Sequence, residues 1–169
     1  MRVNKKKFIY LISPNKIYKK FFKDLQKVLE TGKISFFQLR LKKYSFKHKI
    51  LIGKKIKYIC KKNRVKFLIN DDPILAKRLG ADGCHLGQKD MNIKVAKKII
   101  GKKIIGVTCH NSLRLAKKAL KYKPSYLAFG AFHPSKTKKT KYVADIKIIG
   151  KIKKITKTPV VAIGGINSG

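Results

Sequence analysis

The chain is short of acid. Seven Asp and Glu stand against 44 Lys and Arg, a formal net charge of +37 over 169 residues. Cysteine is sparse as well. Cys60, Cys84 and Cys109 are too few for a disulfide framework, which points to a reducing compartment. Twelve Gly and five Pro fall far below what a collagenous or disordered chain carries. No apolar run approaches the ~20 residues of a membrane-spanning helix. An export signal is not expected at the N-terminus either. Lys5, Lys6 and Lys7 precede Phe8-Ile-Tyr-Leu-Ile12, but this run is short of the ~7–15 residues of a signal core, and no small-residue cleavage site follows. The run reads as a buried first strand, in a cytoplasmic chain without membrane association. Apolar residues make up 44% of the sequence, enough for one sizeable core, and the length fits a single domain over residues 1–169.

So large a positive charge attracts polyanions, and nucleic acid is the first partner to weigh. Two features weigh against a dedicated site. Only five of the 44 basic residues are Arg, the side chain that clamps phosphate and reads guanine through a bidentate fork. The lysines are also not gathered in a tail. They recur as pairs throughout, at Lys19-Lys20, Lys42-Lys43, Lys54-Lys55, Lys61-Lys62, Lys97-Lys98, Lys102-Lys103, Lys117-Lys118 and Lys153-Lys154. Interleaved with apolar positions, they read as the wet faces of helices, able to hold nucleic acid only non-specifically. The acids are more telling. Four of the seven, Asp71, Asp72, Asp82 and Asp90, fall within twenty residues. Carboxylates kept there, in so basic a chain, suit a task lysine cannot perform, such as holding Mg²⁺ through oxygen ligands.

Short apolar runs rich in Ile, Val, Phe and Tyr alternate with amphipathic stretches. Strands are predicted over Phe8–Ser13, Ile34–Arg40, Lys66–Asn70, Gly83–Leu86, Ile104–Thr108, Tyr126–Gly130 and Val160–Gly164. Helices are predicted over Tyr18–Thr31, Phe46–Lys61, Pro73–Leu79, Asn92–Ile100, Ser112–Lys121 and Ile146–Ile155. The first should bury Phe21, Phe22, Leu25, Val28 and Leu29; the second, Ile50, Leu51, Ile56 and Ile59. Repeated βα units with short connections imply parallel strands and right-handed crossovers. A doubly wound sheet and a barrel both satisfy this pattern. The spacing, and the polar residues that end nearly every strand, favour an α/β fold of the (β/α)₈ TIM-barrel type, in which those ends converge on one rim. About seven of the eight strands are present, and the last βα unit is absent from this chain.

The strand ends hold the candidate chemistry. Alternation puts Gln38, Arg40 and Lys42 on one side of the second strand, as an anion clamp. Asn70, Asp71 and Asp72 end the third, where helix capping is the ordinary alternative. Asp90 lies past the end of the fourth and can meet Asp71 across the rim, whereas Asp82 precedes that strand and reads as structural. Thr108 ends the fifth. After the sixth come Ser135, Thr137 and Lys138, hydroxyl and ammonium donors that can ring a phosphate. Gly164 and Gly165 end the seventh with bare backbone N–H groups. Cys84-His85 and Cys109-His110 invite a zinc reading, but no CxxC or HxxxH spacing supports one, and packed core positions are expected.

These motifs resemble the thiamine-phosphate synthase family and its relative of the same fold, the thiazole tautomerase. Gln38-Leu-Arg-Leu-Lys42 is similar to the family's Q-x-R-E-K. Ile69-Asn-Asp71 followed by Gly80-Ala-Asp-Gly-Cys-His-Leu-Gly-Gln-Lys-Asp90 is similar to its N-D…ADGvHlGQeD. Phe132-His-Pro-Ser-Lys-Thr-Lys138 is similar to its P-T-x-T-K. The likeness runs from Tyr10 to Ile166. It implies a TIM-barrel transferase of thiamine biosynthesis that joins a hydroxymethylpyrimidine diphosphate to a thiazole phosphate and releases pyrophosphate. By this resemblance Gln38, Arg40, Lys42, Asn70, Thr108 and Lys138 hold the pyrimidine diphosphate, with Arg40, Lys42 and Lys138 neutralising the leaving group. Asp71 and Asp90 bind Mg²⁺. Ser135, Thr137 and Gly164 or Gly165 hold the thiazole phosphate. Leu41 stands where the family has Glu, Lys89 where it has an acid, Thr108 where it has Ser, and Ser135 where it has Thr.

Two other readings compete. The tautomerase typically lacks the Mg²⁺ pair and the P-T-x-T-K loop, and would use His110 as its acid–base group. A degenerate, non-catalytic barrel would bind polyanions through its lysines. The retained loop and carboxylates favour the synthase. Self-association into a homo-oligomer is left open by the sequence.

Overall fold

A computed structural model describes residues 8–133 and 143–166. Seven strands form one wholly parallel sheet in sequence order. They are β1 (Ile9–Ile12), β2 (Ile34–Leu39), β3 (Lys66–Asn70), β4 (Gly83–Leu86), β5 (Ile104–His110), β6 (Tyr126–Phe129) and β7 (Val160–Ala162). Six helices connect them: α1 (Phe21–Glu30), α2 (Phe46–Lys62), α3 (Pro73–Leu79), α4 (Ile93–Ile100), α5 (Leu113–Leu120) and α6 (Lys147–Ile155). Both edge strands, β1 and β7, are less buried than β3 to β6. The sheet curls so far that Tyr10 of β1 and Tyr126 of β6 meet, their hydroxyl oxygens 2.8 Å apart. This is the (β/α)₈ TIM-barrel architecture, with seven of its strands among the described residues.

Strand alternation creates two cores. Outward side chains, among them Phe37, Phe67, Cys84, Val107 and Phe129, pack beneath the helices with Leu25, Ile56, Cys60 and Ile152. Each large apolar side chain buried there contributes about 1.5–3 kcal/mol relative to exposure. Inward, Leu68, Tyr126 and Ala128 pack with Tyr10, Phe36 and Val161 to fill the lumen. Helix starts follow local chemistry: the side chains of Ser45, Asp72, Asn92 and Ser112 each accept an N–H at the start of α2, α3, α4 and α5.

The predicted elements match these within a few residues, with three differences. Phe8 and Ile9 are 59% and 51% exposed, so the first strand is a half-open edge, not a buried one. Val28 sits at the margin of the α1 stripe and is exposed. In α2 the buried face is Gly53, Ile56 and Cys60, while Leu51 points to solvent. The reason is close helix packing. A Cβ on Gly53 would lie 2.5 Å from Cδ1 of Leu79 in α3, so the glycine, rather than Leu51, is turned inward. All eight lysine pairs named above are exposed. Among the described residues no helix is long and apolar enough to cross a membrane.

Candidate active site

The C-terminal ends of β2, β3 and β4 build the richest part of the rim. A cleft of about 460 Å³ opens there, with Lys42, Asn70, Asp71, Asp72 and Met91 in its lining. The two acids that follow β3 divide their work. Asp72 caps α3, its carboxylate accepting the Leu75 N–H at 2.9 Å, with Pro73 in the first turn. Asp71 does not cap. Its backbone takes a left-handed conformation, φ +65°, and its N–H donates to the carbonyl of His85 at 2.8 Å. Such backbone is costly for a non-glycine residue and is typical of functional turns. The kink leaves the Asp71 carboxylate for the rim, where Lys42 Nζ stands 2.9 Å from Oδ2.

Asp90 arrives from the loop after β4. Its Oδ2 accepts the Gly87 N–H at 2.6 Å, and its carboxyl is near enough to that of Asp71 for each to shift the other. Desolvation pushes both carboxyls upward, but the pair splits. The neighbouring Asp90 carboxyl, the Lys42 ammonium and the electrostatic effect of His85 together carry Asp71 below its ordinary value. Desolvation and the Asp71 charge raise Asp90. Two carboxyls in contact cannot both stay charged without a proton or a cation to share. A divalent cation meets that need, and Mg²⁺ is usually held by one or two carboxylates plus substrate phosphates. The donor set therefore fits Mg²⁺, although among the described residues no cluster of three or more His, Cys, Asp or Glu forms a fuller cage.

The β2 clamp is more dispersed than alternation suggested. Leu39 and Leu41 are buried under the helices, and Gln38 lies below the rim, 2% exposed, its Nε2 donating to the Tyr10 hydroxyl at 2.8 Å. Arg40 reaches the other way: its guanidinium bonds the Asn15 side chain, and its N–H donates to Ser13 Oγ at 2.8 Å. Only Lys42 enters the carboxylate cluster. Thr108 is tied to the lumen, its Oγ1 2.7 Å from Nε2 of His85. Gly164 and Gly165 bend with φ +90° and +70° beside the end of β6, where the Gly164 carbonyl accepts from Phe132 N–H at 3.0 Å. Ser135, Thr137 and Lys138 lie outside the described residues. Asp82 holds the start of β3, accepting the Phe67 N–H at 2.9 Å and facing Lys66 Nζ at 3.2 Å. Cys84 and Cys109 are fully buried under the helices, with thiols pushed up to about 12 by desolvation. His85 faces the lumen instead, so neighbouring Cys84 and His85 point apart.

Sequence reasoning missed the lumen network of Tyr10, His85 and Tyr126. Its signal was present: polar aromatic residues at inward positions of otherwise apolar strands. It also passed over Asn15 and Met91, which lie in loops with no pattern to mark them.

A parallel barrel whose mouth sets Lys42 beside the Asp71 carboxylate, with Asp90 close by, suits an enzyme for anionic, phosphorylated substrates. Likeness to known proteins narrows that class. The family model described as thiamine monophosphate synthase matches residues 9–169. The thiamine-phosphate synthase of Pelagibacter ubique (strain HTCC1062) is 63% identical over 169 residues, covering 98% of this chain and 82% of the relative. That of Rhodospirillum centenum (strain ATCC 51521 / SW) is 38% identical, covering 94% and 77%. Among solved structures, the thiamine phosphate pyrophosphorylase from Pyrococcus furiosus superposes with a TM-score of 0.83 at 32% identity, over 95% of this chain and 76% of that one. A truncated 3-deoxy-D-arabino-heptulosonate 7-phosphate synthase from Thermotoga maritima, with a TM-score of 0.61 at 13% identity over 92% of this chain and 63% of that one, shares the fold alone. The chain belongs to the thiamine monophosphate synthase family.

Proposed function

We propose that this protein is a Mg²⁺-dependent transferase of thiamine biosynthesis, working in the cytoplasm. It couples hydroxymethylpyrimidine diphosphate to thiazole phosphate and yields thiamine phosphate and pyrophosphate. Family membership supports the activity; the observation that carries the site assignment is the meeting of Lys42, Asp71 and Asp90 at the ends of three successive strands.

In the reaction the bond between the pyrimidine methylene carbon and the diphosphate oxygen breaks, and its electron pair leaves with pyrophosphate. The thiazole nitrogen then gives its lone pair to the pyrimidine methyl cation. No side-chain nucleophile is needed. Asp71 and Asp90 hold the metal, and Mg²⁺ bound there supplies positive charge to the departing diphosphate. Lys42 and Arg40 at the rim, with Lys138, neutralise the same growing charge. Gln38, Asn70 and Thr108 orient the pyrimidine diphosphate. The thiazole phosphate is taken by Gly164 or Gly165 with Ser135 and Thr137. Holding both substrates in one mouth turns their encounter into an effectively unimolecular step.

The test is pyrophosphate release from the pyrimidine diphosphate with and without Mg²⁺, in the presence of thiazole phosphate. Release that requires both Mg²⁺ and thiazole is expected. Isomerisation of a thiazole phosphate with no pyrophosphate release would refute the assignment in favour of tautomerase chemistry.

A further inference from the structure

Beneath the rim the lumen is spanned by an unbroken series of hydrogen bonds. Gln38 Nε2 donates to the Tyr10 hydroxyl, whose oxygen is 2.8 Å from that of Tyr126. The Tyr126 oxygen is in turn 2.8 Å from His85 Nδ1, and His85 Nε2 is 2.7 Å from Thr108 Oγ1. The series joins β2, β1, β6, β4 and β5 in that order.

A direction is assigned by requiring that every buried proton meet an acceptor within the series. An amide nitrogen only donates, so Tyr10 accepts from Gln38. Each phenol has one proton to pass on. If every buried proton is to meet an acceptor within the series, Tyr10 gives its proton to Tyr126, and Tyr126 gives its own to Nδ1 of His85. Burial pushes Tyr10 up to about 12 and Tyr126 well above 10, so both hydroxyls keep their protons at neutral pH. With Nδ1 accepting, the imidazole proton resides on Nε2 and points at Thr108. Thr108 Oγ1 then accepts it and has its own proton left to donate.

The packing enforces this geometry. Asn70, His85, Gly106 and Tyr126 stand in register on β3, β4, β5 and β6. Tyr126 crosses Gly106 to stack on His85, ring centroids 5.7 Å apart and planes inclined by 22°. A Cβ on Gly106 would lie 1.8 Å from Cζ of Tyr126, so only glycine lets the ring through. A histidine stacked and bonded at both nitrogens has one orientation available.

We propose that His85 is a positioning residue: fixed as its Nε2–H tautomer by Tyr126, it holds the Thr108 hydroxyl as a donor to an oxygen of the substrate's diphosphate. This rests on the synthase reading for the identity of the ligand. The direction of the hydrogen-bond series does not depend on that reading.

The experiment has two readouts. In the ligand-free wild-type protein, ¹⁵N spectra of the His85 ring are expected to show a protonated Nε2 and a bare Nδ1; a protonated Nδ1 would reverse the series and overturn the proposal. Binding of inorganic pyrophosphate with Mg²⁺, followed by calorimetry, is expected to weaken about tenfold in Tyr126→Phe and His85→Leu, as loss of a hydrogen bond to a charged group implies. His85→Gln, whose amide can donate from nearly the Nε2 position, is expected to recover most of that loss. Equal weakening in His85→Gln and His85→Leu, or unchanged binding in both Tyr126→Phe and His85→Leu, would show that His85 only fills space. A wild-type chain with the expected tautomer and binding, yet no Mg²⁺-dependent pyrophosphate release, would sink the synthase reading and leave the positioning role standing.

Discussion

Lys42 Nζ lies 2.9 Å from Oδ2 of Asp71, so an ammonium from the end of β2 occupies the approach to one of the two carboxylates proposed for the metal. A metal held by Asp71 would compete with the lysine for that oxygen. Lys42→Met is therefore expected to tighten binding of Mg²⁺ alone by about two- to fivefold, the scale of a solvent-screened ion pair. The same variant should lose about 100-fold in turnover, because the leaving group loses a neutralising charge. Calorimetry of Mg²⁺ binding beside a pyrophosphate-release assay checks both; weaker Mg²⁺ binding in the variant would show that Lys42 does not compete there.

Asp90 is tied to Gly87 N–H through Oδ2, and Asn at this position keeps an oxygen for that bond while losing the charge. Asp90→Asn is expected to fold with a nearly unchanged melting temperature and to lose about 100-fold or more in Mg²⁺-dependent turnover. Near-normal rates would remove Asp90 from the metal site.

Gly106 gives room to Tyr126, and the added methyl of Gly106→Ala would overlap the phenol ring. A loss of about 1–3 kcal/mol or more is expected in urea unfolding, the usual scale of overpacking in a filled core. Gly150→Ala is the control, since nothing lies within 4 Å of its added methyl. Equal stability of the two variants would show that the lumen yields at β5.

The buried phenols tie stability to alkaline pH. Desolvation raises Tyr10 from 10.0 to about 12, so between those values the unfolded chain has released a proton that the folded chain retains. The unfolded state binds fewer protons there, and stability falls as pH rises. The contribution is whole below pH 10 and is lost toward 12, at up to about 1.4 kcal/mol per pH unit. Urea midpoints measured from pH 9 to 11.5 are expected to fall more steeply for the wild type than for Tyr10→Phe. Parallel curves would mean that Tyr10 titrates equally in both states.

The fold was legible because packing and chemistry use different periods in this sequence. Apolar strand runs and lysine-paired helices located every element within a few residues, and Pro73–Leu79 matched at both ends. Leu51 misled because hydropathy says nothing of how closely two helices approach, and Gly53 decides that. In the site, the rarity of acids singled out Asp71 and Asp90, but their order relative to Asp72 depends on a backbone sign that composition does not carry. Gln38 alternates with the rim residues of β2 yet lies below the rim, bonded to Tyr10, a partner 28 residues away in sequence that the local pattern does not reveal. Contacts of that kind, and the Tyr126–His85 pair, arise only when the sheet curls.

The alternation along β2 and the turn after it, with Leu39 and Leu41 under the helices and Arg40 and Lys42 at the mouth, has a consequence for how such a gene can change. One inserted or deleted codon before Leu39 would exchange the two sets, turning leucines toward the lumen side and charges under the helices. Point changes meet no such barrier on the outer helix faces, where pairs such as Lys54-Lys55 and Lys117-Lys118 are exposed. Compositional drift can therefore rewrite the exterior of this enzyme far more freely than the length of the segment that sets the register of β2.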